Sequence, residues 1–303
     1  MHQEQPLVYI IIVNYKGLDD TIDCINSLKN IEYKNYRIIV VDNNSEDSSA
    51  EKLDELFFGD IKIIKLDENL GFAGGNNVGI KIALEENAEY VLLLNNDTVV
   101  KNDFLNHLVD KAAEEKTIGC VGGKIYYYSN KEILWYAGAK INKYTGRTKH
   151  IGVDEKDIGQ YSISKEEDYI TGCLMLVKRE VLEKVGLMDE RYFLYYEETD
   201  WCAKMKKYGY KLVFEPKSVI YHKVSSSTKN INDVMKYYYD RNSYFFIINN
   251  YGILNRAFMF LYKRIFLLLK LVKAGLNKDK NKYKMIKKTY KDIKFQEMGK
   301  YND

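Results

Sequence analysis

Three patches of this 303-residue chain carry side chains that could do chemistry. Asn95-Asn96-Asp97 follows the apolar run Val91 to Leu94, and an acid at the end of a buried strand can hold a divalent cation through oxygen ligands. Asn and Asp also form turns, so the triplet alone reads equally as a turn. Glu197, Glu198 and Asp200 fall within four positions, beside Tyr192, Phe193, Tyr195, Tyr196 and Trp201. Carboxylates among aromatic rings suit a site that holds a sugar and takes its proton. Acids at a helix start are also favoured by the helix dipole, which explains one or two of them. His222 closes a short apolar stretch as Asp97 does; a lone histidine is more often structural, but a strand end is where a metal ligand belongs.

The surrounding pattern supplies the elements. Leu7 to Val13, Tyr36 to Val41, Ile61 to Leu66 and Tyr90 to Leu94 are apolar, β-branched-rich runs of strand length, and helical spacing lies between them. Strands alternating with helices predict βαβ units and a mostly parallel sheet, an α/β fold of Rossmann-like type. Each strand ends in a polar cluster: Asn14-Tyr15, Asp42-Asn43-Asn44-Ser45, Asn69 to Asn77, and Asp97. These clusters are predicted to share the sheet edge where nucleotides bind. Asp42 there could accept from a base or ribose, or serve as a cap. Gly71 to Gly75 is predicted as a loop, a ligand cradle or a tight turn, and it fits neither the dinucleotide fingerprint nor the P-loop. Residues 126–168 show no clear period. A strand over Tyr169 to Lys178, a helix over Trp201 to Tyr208, and two short strands around Pro216 are expected, followed by Ser225-Ser226-Ser227.

Charge is uneven. The chain has a net charge of +3, yet from Ile253 onward 14 Lys and Arg face 4 Asp and Glu, leaving the rest acidic. That excludes a nucleic-acid-binding core and predicts a basic attachment region. Arg256, Lys263, Arg264, Lys270 and Lys273 fall on one half of a helix over Ile253 to Ala274, with apolar residues on the other. Such a helix suits an anionic membrane surface, with packing on the catalytic domain or a homodimer interface as the other readings. Cys24, Cys120, Cys173 and Cys202 have neither zinc nor disulfide spacing.

In this order and spacing the motifs resemble glycosyltransferase family 2 enzymes of GT-A fold, in particular the rhamnosyltransferase-like branch, over residues 7 to about 250. The motifs are V-N-Y (Val13 to Tyr15), V-V-D-N-N-S (Val40 to Ser45), N-L-G-F-A-G-G-N-N (Asn69 to Asn77), L-L-N-N-D-T (Leu93 to Thr98), Y-Y-E-E-T-D-W (Tyr195 to Trp201) and His222. The resemblance implies a GT-A catalytic domain over residues 6–225 and a helical, basic region over 226–303. It implies that Asp42 meets the nucleotide base, and that Asn14, Tyr15, Asn69, Gly71, Gly75, Asn76, Asn95 and Asn96 line the nucleotide-sugar site. Asp97, with His222, would hold Mn²⁺ or Mg²⁺; Asn95 stands where many relatives place an acid. Glu198 would be the general base, with Glu197 as the fallback. Asp200, Trp201 and Gly172 are expected to face the acceptor.

The implied reaction inverts the anomeric centre of a UDP- or dTDP-linked sugar, rhamnose among the candidates, on a hydroxyl of a glycan or lipid-linked acceptor. The expected setting is cytoplasmic, on the inner face of the membrane. Arg241 is expected to reach a phosphate or to pack. A sugar-nucleotide nucleotidyltransferase would want an Arg-containing, Gly-rich loop after the first strand, and Asn14-Tyr15-Lys16-Gly17 is not one. A non-catalytic binding protein of the same fold has no need of Asp97, Glu198 and His222 together.

Overall fold

The computed structural model describes residues 5–224 and 233–301. Its centre is β1 (Val8–Asn14), apolar along its length and buried on both faces, as a parallel-sheet interior requires. It pairs in parallel with β2 (Tyr36–Asp42) and β4 (Tyr90–Leu94), and β2 with β3 (Lys62–Lys65). Beyond β4 lie β11 (Leu174–Lys178), β6 (Ile118–Tyr127), β12 (Lys211–His222) and β10 (Lys165–Glu166). Strands β12, β6, β4, β1, β2 and β3 run one way; β11 and β10 run against them, as do the flanking β5 (Thr98–Val100) and β7 (Asn130–Tyr136). β8 (Ala139–Ile141) and β9 (Thr148–His150) form a separate hairpin. The sheet is therefore mixed with a mostly parallel core, as expected.

Helices α1 (Leu18–Leu28), α2 (Ser49–Leu56), α3 (Gly71–Glu85), α4 (Phe104–Glu114), α5 (Arg179–Val185) and α6 (Glu197–Lys207) cover the sheet. The expected glycine loop is instead the first turn of α3. Glycine disfavours helix by about 1 kcal/mol, but packing overrides it here. A Cβ on Gly79 would stand 2.6 Å from Ile11 Cγ2, and one on Gly75 3.0 Å from Val13 Cγ1, so the glycines let α3 lie directly on β1. The two strands expected around Pro216 are one strand, β12, with a register shift between Glu215 and Val219. The expected boundary at 225–226, and Ser225-Ser226-Ser227, lie outside the described residues.

The basic region is helical: α7 (Asp233–Asn250), α8 (Ile253–Leu276) and α9 (Lys280–Phe295). A second core joins α7 and α8 to the segment before α6, through Tyr192, Tyr196, Phe245, Phe246, Ile247 and Met259. Fully burying a side chain such as Phe246 stabilises by about 1.5–3 kcal/mol. Helix α8 buries Met259, Lys263, Leu267 and Ala274 and leaves a wide apolar surface exposed. Lys263 is buried, its Nζ on Asp240 Oδ1 (3.2 Å) and Ser243 Oγ (3.0 Å), and Lys270 reaches Asp240 Oδ2 (2.6 Å). Leu254, Leu261, Ile265, Leu268, Leu269, Val272 and Leu276 face outward. The expected basic half thus loses two of its five charges to α7, because Asp240 on α7 offers a partner the helix pattern cannot show. Among the described residues no helix is long and apolar enough to cross a membrane.

Candidate active site

Register brings the strand ends together. Asn14 lies opposite Asp42, Leu94 opposite Leu174, and Thr98 opposite His222. The last pairing sets Asp97 beside His222: Oδ1 and Nε2 are 3.0 Å apart, and both residues are buried. Trp135 meets the His222 ring edge to face at 4.5 Å and the His150 ring at 4.7 Å. Burial pushes the His150 imidazole down to about 4, so it stays neutral. The Asp97–His222 separation is that of two adjacent ligand atoms on one cation with bonds of about 2.0–2.1 Å, so the pair fits a divalent ion. Among the described residues no group of three or more His, Cys, Asp or Glu could hold one. A cation held by Asp97 and His222 would take its remaining ligands from elsewhere.

Several expected donor-side residues are turned inward. Asn14 is fully buried, donating to Asp42 Oδ2 (2.7 Å) and Ser45 Oγ (3.1 Å) and accepting from Thr21 Oγ1 (3.0 Å) and the Gly17 amide (3.3 Å). Its amide locks β1 to β2 and α1 and has no capacity left for a nucleotide. Asp42 also accepts from Ser45 N (3.0 Å) and Ser45 Oγ (2.6 Å). Asn96 donates to Thr21 Oγ1 (3.0 Å) and Gly17 O (3.3 Å), pinning the Asn95–Asp97 turn to α1. Asn76 is buried and donates to Phe72 O (2.9 Å), within its own helix, so it too is corrected to a structural role. Asn69 Oδ1 accepts from Gly71 N (2.8 Å) and starts α3. Gly75 packs on β1. Tyr15 is exposed and Asn95 half-buried, so both stay open to a ligand.

Gly71 has φ +74°, and a Cβ there would fall 2.2 Å from Phe193 O, which accepts from Phe72 N at 2.9 Å. This contact brings the segment ahead of α6 onto α3. Glu197 and Glu198 open α6, and the Oε2 of each is buried without a hydrogen-bond partner among the described residues. A Cβ on Gly172 would stand 2.8 Å from Phe72 Cζ and 3.7 Å from Glu198 Cβ, so the glycine lets the Phe72 ring lie close beside the acid. Burial pushes the Glu198 carboxyl up to about 7. Burial, and then the Glu198 charge, push Glu197 well above the usual carboxylate range. The pair thus holds a proton near neutral pH, with Glu198 the member poised to accept or release one.

Two expected acceptor residues are corrected. Trp201 is fully buried in the main core and its Nε1 donates to Gly186 O (2.8 Å). Asp200 is buried, accepting from Tyr192 Oη (3.0 Å) and Asn250 Nδ2 and pairing with Lys204 (2.8 Å). Arg241, expected to reach a phosphate or to pack, is buried against backbone carbonyls. Sequence reasoning missed Asn43, which ties β2 to α3 through Leu70 N (2.8 Å) and Gly71 O (3.0 Å), and Asn77, which holds Met188 from α3. It also missed Trp135, which lies in the stretch without a readable period.

A sequence model described as glycosyl transferase family 2 matches residues 9–186. The dTDP-rhamnosyl transferase RfbF of Shigella flexneri is 26% identical over 252 residues, 80% of this chain and 81% of that protein. The low-salt glycan biosynthesis hexosyltransferase Agl10 of Haloferax volcanii is 29% identical over 203 residues, 65% of this chain and 61% of that protein. Among solved structures, the mannosyltransferase PcManGT from Pyrobaculum calidifontis, in complex with GDP-Man and Mn²⁺, superposes with a TM-score of 0.60 at 14% identity, covering 97% of this chain and 88% of that one. GalNAc-T7 with UDP, GalNAc and Mn²⁺ superposes with a TM-score of 0.61 at 20% identity, covering 71% of this chain and 43% of that one. At these identities the two structures speak for the GT-A fold.

Proposed function

This chain belongs to glycosyl transferase family 2 and is a glycosyltransferase, and from that premise we propose a metal-assisted transfer with inversion at the anomeric carbon. The observation that carries the proposal is the buried acid pair at the start of α6, with unpartnered Oε2 atoms and Gly172 against Glu198. Glu198 accepts the proton of the acceptor hydroxyl as that oxygen attacks the anomeric carbon. The bond from that carbon to the nucleoside diphosphate breaks, and its electron pair leaves with the diphosphate. Burial raises both carboxyls and the two charges repel, so the pair shares one proton near neutral pH and carries one negative charge. Base catalysis of this kind contributes roughly 10²–10⁴-fold.

Asp97 and His222 would hold the cation, Mn²⁺ or Mg²⁺, which when bound offsets charge gathering on the leaving diphosphate. Tyr15, Asn95 and the polar turn after β2 line the donor side of this reading, and Gly172 the acceptor side. The name of RfbF supports a dTDP-linked rhamnose as the first donor to try, with UDP-linked sugars next. The acceptor is a hydroxyl of a glycan or lipid-linked glycan in cell-surface polysaccharide synthesis. Helix α8 supports a place on a membrane: its apolar face is outward, and Lys284, Lys287, Lys288, Lys291 and Lys294 line a neighbouring cleft on α9, complementary to anionic headgroups.

A panel of dTDP-, UDP- and GDP-sugars, scored for nucleoside diphosphate release with and without Mn²⁺, tests the reading. Metal-dependent release from one or two donors is expected. Pyrophosphate formation from a sugar phosphate and a nucleoside triphosphate would point instead to nucleotidyl transfer.

A further inference from the structure

The segment that delivers Glu198 does not hold itself. Phe193, Tyr195 and Tyr196 all have positive φ, between 65° and 76°, which non-glycine residues adopt only when their surroundings impose it; Tyr196 is left-handed helical and Phe193 sits in a tight γ-turn. Tyr196 is the residue from which α6 departs, and Glu197 and Glu198 are the helix's first two residues.

What imposes the conformation is one amide on α7. Asn242 is fully buried, and the two hydrogens of its Nδ2 face the carbonyls of Tyr192 (3.0 Å), Leu194 (2.9 Å) and Tyr195 (2.8 Å), so one hydrogen is shared between two acceptors. Its Oδ1 accepts from Arg241 Nε (2.9 Å), which fixes which end of the amide faces the loop. The Arg241 guanidinium also donates to Tyr192 O (3.2 Å), Tyr237 Oη (2.9 Å) and Gly299 O (2.7 Å). Gly299 in turn donates to Arg191 O (2.7 Å), so the loop is held from both ends. Tyr192 O also accepts from Leu194 N (2.8 Å) and from Arg241, so Asn242 matters most to the Leu194 and Tyr195 carbonyls, and a buried carbonyl without a donor is costly.

We infer that Asn242, oriented by Arg241, is a positioning residue for sugar transfer: it acts through the direction in which Glu198 leaves the loop and touches neither substrate. This rests on the assignment of Glu198 as the base. A misplacement of about 1 Å at a reacting group costs about 100-fold in rate, and that is the effect to look for.

The experiment uses the full chain with Asn242→Asp, which keeps the shape of the side chain and removes its N–H donors. With the donor identified by the panel, kcat is expected to fall about 100-fold while KM for the donor stays within about twofold. The double variant Asn242→Asp, Glu198→Gln is expected to be no slower than Glu198→Gln alone, since two residues acting on one event are not additive. Turnover retained in Glu198→Gln overturns the base assignment and this proposal with it. Turnover lost in Glu198→Gln but kept in Asn242→Asp, or losses that multiply in the double variant, overturns this proposal alone. Amide hydrogen exchange needs no donor and guards against simple misfolding. Faster exchange confined to residues 192–198 supports the assignment; unchanged exchange, or a rise throughout β1 and β4, overturns it.

Discussion

Asp97 Oδ1 and His222 Nε2 stand 3.0 Å apart although 125 positions separate them in the sequence. The contact exists because β5 turns back after Asp97 and pairs with the last residues of β12. Backbone pairing thus sets the two side chains together in a hydrogen bond, which a bound cation would have to replace.

Asp97→Ala is therefore expected to weaken Mn²⁺ and donor binding together. The metal titration should move by more than the roughly 10–100-fold that loss of an outer partner costs. Calorimetric titration with Mn²⁺ and nucleoside diphosphate measures it, and an unmoved metal curve would sink the assignment.

Glu198→Gln is expected to lose roughly 10²–10⁴ in turnover and keep nucleoside diphosphate affinity. The base works deprotonated, and burial raises its carboxyl to about 7, so the wild-type rate should climb from pH 6 to 8. The residual rate of the variant should be flat over that range. A variant that keeps the wild-type profile removes Glu198 from the reaction.

Gly71→Ala and Gly186→Ala make a matched pair. Both glycines have positive φ, +74° and +81°, but a Cβ on Gly71 meets Phe193 O at 2.2 Å while one on Gly186 meets nothing within 4 Å. Gly186→Ala should cost about 1–3 kcal/mol, the conformational term alone, since its φ of 81° and ψ of −171° lie in a region that is nearly glycine-only. Gly71→Ala should cost more and also slow transfer, because Phe193 O belongs to the loop before Glu198. Urea melts with parallel activity assays measure both, and equal costs refute the argument from the Phe193 contact.

Vesicle flotation tests α8. Wild-type protein should rise with vesicles containing anionic lipid and less so at high salt. Leu261→Gln with Leu268→Gln should stay behind while melting like wild type, since both side chains are already exposed. A wild type that ignores vesicles but elutes as a dimer, with the variant a monomer, assigns the face to a second copy. Deleting the helix is a poorer test, because residues beyond it reach Arg191 and Arg241.

The strand ends were legible because fully buried parallel strands write themselves as unbroken apolar runs, and Asn14, Asp42 and Asp97 stop those runs. The glycines of α3 misled because their local preference points to a loop, whereas their use is close packing on Ile11 and Val13. Trp201 looked like a sugar platform beside the acids, but aromatic character does not reveal which side of a helix faces the core. Asn43 and Asn77 stand within the polar clusters, but nothing there marks them, or Asn242, as ties between elements: an amide that joins two distant segments has no periodic signature. Lys263 was misread for the same reason, since its partner Asp240 lies on another helix.

The grip of Asn242 on residues 192–195 also sets an order of events as the protein is made. Chains emerge from the ribosome N-terminal end first and fold as they appear. The parallel sheet can assemble once β12 is out, but the carbonyls before Glu198 have no donor from α7 until Asn242, about 20 residues beyond the end of β12, has followed. A chain halted before α7 would thus carry the folded sheet with the proposed base unaimed, so the helices after β12 complete the proposed site.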